Sequence, residues 1–255
     1  GESNKMINVM VNGCNGRMGQ IVCDLVNKNS DMVLMGGIDI ADLENTSFPV
    51  YKDLGKIPQK PDVIIDFSIP AATFNILEYA KDKNIPLVIA TTGFSKEQDD
   101  KILEYSKFIP IFKSANMSFE INVFMHLLRE IAPKLKDNDI EIIETHHNRK
   151  IDSPSGTAEM LADTIIEAIG ENKHKEYNRH DKHEKRSKDE IGMTSIRGGN
   201  IVGEHQVMFF GESESFEIKH TSYSRDVFAE GAIKAAEFIV KKTSGMYNMD
   251  DLVCE

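Results

Sequence analysis

Residues 6–26, MINVMVNGCNGRMGQIVCDLV, decide the fold of the first half of the chain. Residues 6–12 predict a short apolar strand, which leads directly into Gly13, Gly16 and Gly19 and then into a helix with one apolar face. This order places the N–H groups of a helix start beside a tight turn, where phosphate oxygens can accept hydrogen bonds. The spacing GxxGxxG is a weaker signal than GxGxxG, but its position between a strand and a helix strengthens it. The stretch therefore predicts a dinucleotide-binding fold.

Strands and helices alternate through the residues that follow. Four further apolar strands are predicted, at residues 32–38, 63–67, 86–92 and 110–113. Helices are predicted at residues 68–83 and after Ser95. This alternation is typical of an α/β fold with a Rossmann-like, doubly wound parallel sheet. Ligands of such sheets lie past the carboxyl ends of the strands, so we expect Ser68, residues 91–93 and residues 114–116 to line the nicotinamide end of the site.

Asp39 ends the second predicted strand, 20 residues after Gly19. In dinucleotide-binding folds an acidic residue at this place hydrogen-bonds the hydroxyls of the adenosine ribose. Ile40 follows it, and no arginine lies nearby to pair with a 2′-phosphate. We therefore expect a preference for NADH over NADPH, or at least no strong NADPH preference. The alternative is a solvated aspartate at the end of a strand.

A different motif opens the second half of the chain, at residues 141–157, EIIETHHNRKIDSPSGT. Residues 140–143 predict a buried strand that leads to His146 and His147, and Lys150 follows His146 by four positions. Side chains past the end of such a strand are held by the sheet and still reach solvent. Two proton-bearing groups so close can divide the acid and base roles of a reaction.

A helix start follows this strand within a few residues. Ser153 fits an N-cap and Pro154 the first position of a helix over residues 154–169, so the next N–H groups would point out of the helix unpaired. Gly156 lets a ligand approach the backbone, and Thr157 adds a hydroxyl donor. An ordinary capped helix beside a solvated loop is the alternative. Three titratable cations so near an anion-binding helix start favour a functional site over an ordinary capped helix.

The remaining segments define a second domain. Residues 171–190 are dense in charge, so we predict a solvated loop that does not pack and that binds no metal; a metal site at His174, His180 and His183 is the alternative. Alternation predicts strands of an antiparallel meander at three later places, residues 191–197, 204–211 and 215–222.

The predicted helix at residues 227–241 returns the chain to the first domain. We expect a dinucleotide-binding domain at residues 1–117 and 226–255. Residues 118–225 are expected to form a substrate-binding and oligomerisation domain of the α+β class, with a mostly antiparallel open sheet.

Composition narrows the class of partner. The 255 residues include 30 Lys plus Arg and 41 Asp plus Glu, and 30 − 41 gives a net charge of −11, which disfavours nucleic acid and anionic membranes as partners. Cys14, Cys23 and Cys254 form no CxxC pair or metal-ligand spacing. The sequence has no apolar run near the ~20 residues of a membrane span and no signal pattern at its start. We expect a cytoplasmic protein.

These stretches together resemble the 4-hydroxy-tetrahydrodipicolinate reductases, long called dihydrodipicolinate reductases, of bacterial lysine and diaminopimelate synthesis. The resemblance covers nearly the whole chain, and its most specific part is the block ETHHNRKIDSPSGTA. The other matching stretches are GCNGRMG, IDFSIPAAT, ATTGF, SANMSFEINVF, SIRGGNIVGEHQV and HTSYSRDVFAEGA.

The resemblance implies a hydride transfer from NAD(P)H to the cyclic dicarboxylate made by the preceding synthase, which gives tetrahydrodipicolinate. It implies that His146 donates or accepts a proton, that Lys150 donates one, that His147 contacts the substrate, and that Gly156 and Thr157 hold a substrate carboxylate. The implied cofactor-binding residues are Gly13, Cys14, Asn15, Gly16, Arg17 and Met18 for the pyrophosphate, Asp39 for the ribose, and Ala90, Thr91, Thr92, Ser114, Ala115, Asn116 and Met117 for the nicotinamide end.

The family is typically tetrameric through the sheet of its second domain, so the resemblance implies a homotetramer. Family members with an arginine just after the ribose carboxylate use NADPH well, and Ile40 departs from that pattern. Two other classes of function stay open. An oxidoreductase of another small acid would share the glycine turn but has no reason to carry both the HHxxK and PSGT motifs. A non-catalytic dinucleotide sensor would need only the first domain and would not require Lys150.

Overall fold

The computed structural model describes residues 5–41, 46–170 and 172–255. The chain divides into two compact units. The first unit is Gly1–Phe119 with Asp226–Glu255, and the second unit is Glu120–Arg225. Within the described residues, no helix combines the length and the apolar character needed to cross a membrane.

The elements are numbered in chain order. The strands are β1 (Ile7–Asn12), β2 (Met32–Ile38), β3 (Val50–Tyr51), β4 (Val63–Asp66), β5 (Leu87–Ile89), β6 (Pro110–Lys113), β7 (Asp139–His146), β8 (His174–Glu176), β9 (Glu190–Arg197), β10 (Gly203–Phe210), β11 (Ser215–Ser222) and β12 (Gly245–Tyr247). The α-helices are α1 (Arg17–Lys28), α2 (Pro70–Lys83), α3 (Lys96–Tyr105), α4 (Phe119–Ile131), α5 (Gly156–Ile169), α6 (Asp226–Ile239) and α7 (Met249–Val253). Short 3₁₀ helices lie at Leu54–Lys56 and Ala132–Leu135.

The first unit is a parallel sheet of seven strands in the order β12-β6-β5-β4-β1-β2-β3. All four residues of β4 are buried, as expected of an interior strand covered on both faces. The predicted Rossmann-like doubly wound sheet is confirmed. The sequence analysis missed β3 and β12, because strands of two and three residues are too short to produce a recognisable pattern.

The second unit holds a sheet of five strands in the order β11-β10-β7-β9-β8. β10 pairs antiparallel with β7 and β11, whereas β9 pairs parallel with β7 and β8. The sheet is therefore mixed rather than mostly antiparallel, and the predicted meander is wrong because β7 lies between β9 and β10. The central place gives Ile140 and Ile142 of β7 apolar neighbours on both sides, in a core shared with α4 and α5.

The charged segment after α5 packs, contrary to prediction. Its residues 174–176 form the edge strand β8 beside β9, and Lys173 is buried, with Nζ donating to the backbone oxygens of Lys136 and Lys188. Arg186 donates to the carboxylates of Asp139 and Glu141. This segment has few apolar side chains, and ion pairs and backbone hydrogen bonds therefore fix its position. Glu171, where the predicted segment begins, lies outside the described residues.

Candidate active site

The glycine turn of the first unit has no room for side chains at two positions. Gly13 has a φ of 78°, and a Cβ there would lie 2.1 Å from the backbone oxygen of Phe67. A Cβ at Gly19 would lie 1.9 Å from the oxygen of Gly13, so α1 packs directly against the turn. Gly16 is the N-cap of α1, which has no side-chain cap and no acidic residue in its first turn. The start of α1 is therefore suited to an anion.

Asp39 joins the turn to the end of β2. Its Oδ2 accepts a hydrogen bond from the Asn15 N–H at 3.0 Å, and its Oδ1 accepts one from the Ile40 N–H at 2.7 Å. A carboxylate offers about four lone-pair positions, so two hydroxyls of a ribose can still be accepted. The Ile40 side chain is 92% exposed and donates nothing to a phosphate. These residues fit the adenosine ribose of a dinucleotide.

The side chains of the turn differ in their access to a ligand. Cys14 is fully buried and its sulfur packs against Gly37, where a Cβ would lie 2.3 Å away. The pKa of Cys14 is raised to about 11, mainly by burial and to a smaller extent by the negative charge of Asp39. Met18 packs against the core and Arg17 is exposed. Cys14 can therefore serve a cofactor only through its backbone.

The residues predicted for the nicotinamide end lie past β5 and β6, which are neighbours in the sheet. Ser114 accepts a hydrogen bond from the N–H of Met249, and Asn116 accepts one from the N–H of Ser118. Ala90, Thr91 and Met117 are buried, whereas Thr92 and Ala115 are exposed. The structure thus brings both predicted segments to one edge of the sheet. Some of their hydrogen-bonding groups already pair with other groups of the protein.

Sequence reasoning missed a buried carboxylate beneath this edge. Asp66 ends β4 with no exposed surface and accepts hydrogen bonds from four side chains. The donors are Asn12 Nδ2 at 2.8 Å, Ser68 Oγ at 2.5 Å, Thr73 Oγ1 at 2.6 Å and Thr91 Oγ1 at 3.0 Å. Burial raises the pKa of Asp66, and the four hydrogen bonds offset this rise only in part. The network ties together the ends of β1, β4 and β5.

The second unit places His146 at the end of β7, 8% exposed, with Nδ1 2.5 Å from Glu144 Oε2. Glu144 is 1% exposed and accepts a fork of hydrogen bonds from Arg197 at 2.8 and 2.9 Å, together with the Ser155 N–H at 3.1 Å. Burial alone would raise the pKa of Glu144, but hydrogen bonds from Arg197, His146 and Ser195 outweigh it and lower that pKa to about 2. The carboxylate is charged at neutral pH.

The helix that follows begins two residues later than predicted. Ser155 is the N-cap of α5, and its Oγ accepts from the Ala158 N–H at 3.1 Å. The predicted cap at Ser153 is wrong because the Ser155 hydroxyl is the one that reaches the third N–H of the helix. Gly156 and Thr157 become the first two helical residues. A Cβ at Gly156 would meet no atom within 4 Å, so the approach to this helix start is open.

A second histidine supports this cap. His205 Nε2 lies 2.8 Å from Ser155 Oγ, and the His205 ring meets the His146 ring edge to face at 5.1 Å. Burial first, and then the neighbouring His146, lower the pKa of His205 to about 4. The His205 ring is therefore neutral at pH 7, and its Nε2 shares a hydrogen bond with the Ser155 hydroxyl.

Lys150 and His147 complete the group that the sequence predicted. Lys150 Nζ lies 2.8 Å from Asp152 Oδ1, and its side chain is partly exposed. Burial first, and then the positive charges of Arg149 and Arg225, lower the pKa of His147. Its Nδ1 is buried and has no hydrogen-bond partner among residues 5–41, 46–170 and 172–255. The second unit thus gathers His146, His147, Lys150 and the start of α5.

One group of possible metal ligands exists elsewhere in the second unit. Ligand atoms of His174, Glu176 and Glu190 lie within 4.8 Å of one another. The two glutamates already pair with cationic side chains, Glu176 with Lys182 and Glu190 with Arg179. A metal ion would have to compete with both ion pairs. His180 and His183, which the sequence analysis considered with His174, are exposed.

Comparison with known families decides the class of the protein. The family description "Dihydrodipicolinate reductase, N-terminus" matches residues 7–117, and "Dihydrodipicolinate reductase, C-terminus" matches residues 120–253. The chain belongs to the dihydrodipicolinate reductase family. It is therefore an NAD(P)H-dependent oxidoreductase, and the predicted family, fold class and enzyme class are confirmed.

Individual relatives of this chain agree with that assignment. The 4-hydroxy-tetrahydrodipicolinate reductase of Clostridium tetani is 50% identical over 246 residues, 96% of each chain. That of Clostridium novyi is 47% identical over 249 residues, 97% of this chain and 98% of the relative. A dihydrodipicolinate reductase from Paenisporosarcina sp. TG-14, solved with dipicolinate bound, is 27% identical with a TM-score of 0.82 and covers 95% of this chain and 97% of its own.

Sequence reasoning overlooked three polar residues beside the predicted group of this reductase, namely Glu144, Arg197 and His205. One signal was present in the chain. Alternation along β7 puts Glu144 on the same face as Ile140 and Ile142, and a carboxylate on a buried face requires a charged or hydrogen-bonding partner. The partner itself could not be identified, because Arg197 lies 53 positions away in the sequence.

Proposed function

We propose that this chain reduces 4-hydroxy-tetrahydrodipicolinate, or its dehydrated form dihydrodipicolinate, to tetrahydrodipicolinate with NAD(P)H in lysine and diaminopimelate synthesis. The names of its relatives and the dipicolinate bound in the Paenisporosarcina structure support this substrate class. The observation that carries the proposal lies in the second unit. There the proton-bearing His146 and the open start of α5 are held together, since both hydrogen-bond to the Glu144 carboxylate.

We assign the dicarboxylate to the second unit. One substrate carboxylate accepts from the N–H groups of Gly156 and Thr157 at the start of α5, where the helix dipole favours an anion. The open space at Gly156 leaves room for that carboxylate. His147 contacts the substrate, which would supply the partner that its buried Nδ1 lacks among the described residues. Lys150 adds the positive charge that a net acidic protein must concentrate locally.

Lys150 is the proton donor of the reaction, and His146 assists it. Hydride addition leaves negative charge on the ring, and a nearby ammonium both stabilises that charge and gives it a proton. Lys150 then becomes a neutral amine, and its partial exposure allows it to regain a proton from water. His146 Nε2 is the ring nitrogen that does not face Glu144, so it can donate or accept a proton on the substrate side.

We assign the dinucleotide to the first unit. NAD(P)H, when bound, supplies the hydride. The turn from Gly13 to Met18 and the start of α1 hold the pyrophosphate, Asp39 holds the ribose, and the segments past β5 and β6 hold the nicotinamide end. Because Ile40 follows Asp39 and residues 38–51 include no lysine or arginine, we propose that NADH is preferred over NADPH.

The activity is tested by mixing the purified protein with NADH and the product of the preceding synthase and following absorbance of the reduced nicotinamide. We expect oxidation of NADH only when the dicarboxylate is present. The same assay with NADPH tests the preference, which is expected as a lower KM for NADH. No oxidation with this substrate contradicts the proposed function, and a strong NADPH preference contradicts the reading of Asp39 and Ile40.

We also propose a homotetramer formed through the sheet of the second unit. Residues of β10 alternate, so Val207 and Phe209 face the core while Met208 and Phe210 face the opposite side of the sheet. Phe210 and Ile196 are exposed apolar side chains in this sheet. Light scattering after size-exclusion chromatography should give four chains per particle, and Met208→Glu should lower that number. A parent protein that elutes as a monomer contradicts the proposal.

A further inference from the structure

Glu144 makes more hydrogen bonds than a capping or surface carboxylate needs. It is 1% exposed, and its two oxygens receive two N–H groups of Arg197, the Ser155 N–H and His146 Nδ1. Together with the hydrogen bond from Ser195, these contacts use the lone-pair positions that a carboxylate offers. Glu144 therefore has no capacity left to bind a substrate, and any part it has in the reaction acts through the groups around it.

The groups around Glu144 belong to the two halves of the proposed site. His146 is the proton-bearing group at the end of β7, and Ser155 is the cap from which α5 begins. We propose that Glu144 is a positioning residue that sets the tautomer of His146 and also fixes the start of α5 that receives the substrate carboxylate. This inference rests on the proposed function and deepens it.

The contact with His146 determines where the ring proton lies. A carboxylate only accepts hydrogen bonds, so the 2.5 Å contact requires the proton on Nδ1. In the neutral ring Nε2 then keeps its lone pair, and it points away from Glu144. A Cβ at Gly203 would lie 3.1 Å from Nε2, so the glycine leaves the space that this nitrogen needs. The low pKa of Glu144 agrees with a carboxylate that stays charged at working pH.

The contact with Ser155 determines where α5 begins. The Ser155 N–H donates to Glu144, and the Ser155 hydroxyl is held between the Ala158 N–H and His205 Nε2. The next two residues, Gly156 and Thr157, supply the N–H groups for the substrate carboxylate. A shift of Ser155 would therefore move these donors directly. A misplacement of about 1 Å in a positioned group can cost on the order of 10²-fold in rate.

Arg197 makes this arrangement possible. A carboxylate buried without a cation would be strongly destabilised or would take up a proton, and the O–H of a protonated Glu144 could donate to Nδ1 of His146 and so favour the opposite tautomer. The planar guanidinium meets both carboxylate oxygens at once, which also fixes the plane of the carboxylate. Arg197 therefore supports both contacts that Glu144 makes.

The tautomer is measured directly by NMR of the protein with ¹⁵N-labelled histidine at alkaline pH, with His146→Gln used to assign the signals. We expect a protonated Nδ1 and an unprotonated Nε2 in the parent protein. Glu144→Gln keeps the size of the side chain but can present an N–H to the ring, which favours the opposite tautomer. This variant should show a protonated Nε2.

Kinetics test the second contact. In Glu144→Gln we expect kcat to fall roughly 10²-fold or more. KM for the dicarboxylate should rise about tenfold, the size expected when a charge-assisted hydrogen bond is lost, and KM for NADH should stay within about twofold. The matched control is Glu190→Gln, which alters a buried glutamate at the other end of β9 that also pairs with an arginine. It should leave kcat and the His146 tautomer unchanged.

Either of two results overturns the inference: a parent protein with Nε2 protonated, or a Glu144→Gln variant with kcat and dicarboxylate KM within a few fold of the parent. If the variant does not fold, the tautomer of the parent still decides. The NMR measurement requires no substrate, so it stays informative if the parent fails to reduce the dicarboxylate, which would reject the proposed function alone.

Discussion

Each unit of the chain buries a carboxylate near the carboxyl end of a strand, and the two are surrounded in opposite ways. Asp66 accepts hydrogen bonds only from uncharged side chains, and burial raises its pKa. Glu144 faces the guanidinium of Arg197 and the ring of His146, which lower its pKa to about 2 despite burial. Burial therefore makes one carboxylate harder to ionise, whereas the hydrogen-bonding partners of the other keep it charged.

The difference indicates a structural role for Asp66 and a role in proton transfer for the group around Glu144. Neutral hydroxyls and an amide around Asp66 hold the ends of three strands together and bring no charged partner to the carboxylate. The Arg197 guanidinium keeps a full charge on Glu144, and that charge can hold the ring tautomer of the neighbouring His146. We infer that changes around Asp66 act on stability, whereas changes around Glu144 act on both stability and catalysis.

The largest expected effect is on turnover and lies in the second unit. Lys150→Ala should lower kcat by roughly 10²–10⁴, the usual contribution of a general acid, with little change in the unfolding midpoint. Steady-state kinetics with NADH and the dicarboxylate measure it. Lys182→Ala is the matched control, because Lys182 also pairs with a carboxylate, that of Glu176, and should keep the parent kcat. A Lys150→Ala variant within a few fold of the parent removes Lys150 from the mechanism.

The next effect is on stability and compares the two networks directly. Arg197→Met leaves the Glu144 charge buried without its cation, so the free energy of unfolding should fall by about 3–5 kcal/mol. Urea unfolding monitored by circular dichroism measures it. The double variant Glu144→Gln with Arg197→Met should recover part of the loss, since the unpaired charge is gone. A single variant as stable as the parent would show that the ion pair contributes nothing.

The two carboxylates should also give opposite pH dependences. The folded pKa of Glu144, about 2, is below its ordinary 4.5, so its contribution to stability is present above about pH 4.5 and is lost as pH falls toward 2. At about 1.4 kcal/mol per pKa unit this amounts to roughly 3 kcal/mol. The stability difference between the parent and Glu144→Gln should therefore shrink between pH 4.5 and pH 3. A constant difference across that range would contradict the charged state of Glu144.

The smallest effect is expected at Asp66. Its folded pKa is raised above 3.8, so its contribution is full below that pH and is lost as pH rises through the folded pKa. Asp66→Asn should cost about 1–3 kcal/mol at pH 4, the range for disturbed buried hydrogen bonds, and less at pH 7. Urea unfolding at the two pH values measures it, with kcat expected within a few fold of the parent. A larger cost at pH 7 than at pH 4 would reverse the comparison.

Much of the first unit could be predicted because its signals are local. Gly13 needs a positive φ and Gly19 needs close contact with the turn, and both requirements fall within one strand, one turn and one helix. Asp39 could be placed for the same reason, as the residue that ends β2. Asp66 was not recognised, because its four donors lie at the ends of three strands and in helix α2, and they become neighbours only when the unit folds.

In the second unit the predicted strands are present, but the prediction of their order was wrong. Alternation indicated β9, β10 and β11, but it carries no information on which strand lies beside which, so the insertion of β7 between β9 and β10 was missed. The N-cap of α5 was predicted two residues early, because by sequence alone Ser153 and Ser155 are equally good caps. In the structure only the Ser155 hydroxyl bonds to the Ala158 N–H and to the His205 ring.

The sequence by itself determined the dinucleotide fold, the acidic strand end at Asp39 and the group of His146, His147 and Lys150, because each depends on residues that are neighbours in the chain. Only the tertiary structure decided which carboxylate hydrogen-bonds to that group. Arg197 reaches Glu144 because β9 runs parallel to β7 in a register that sets Arg197 opposite His146. Strand order and register depend on the packing of the whole sheet, and no local pattern encodes them.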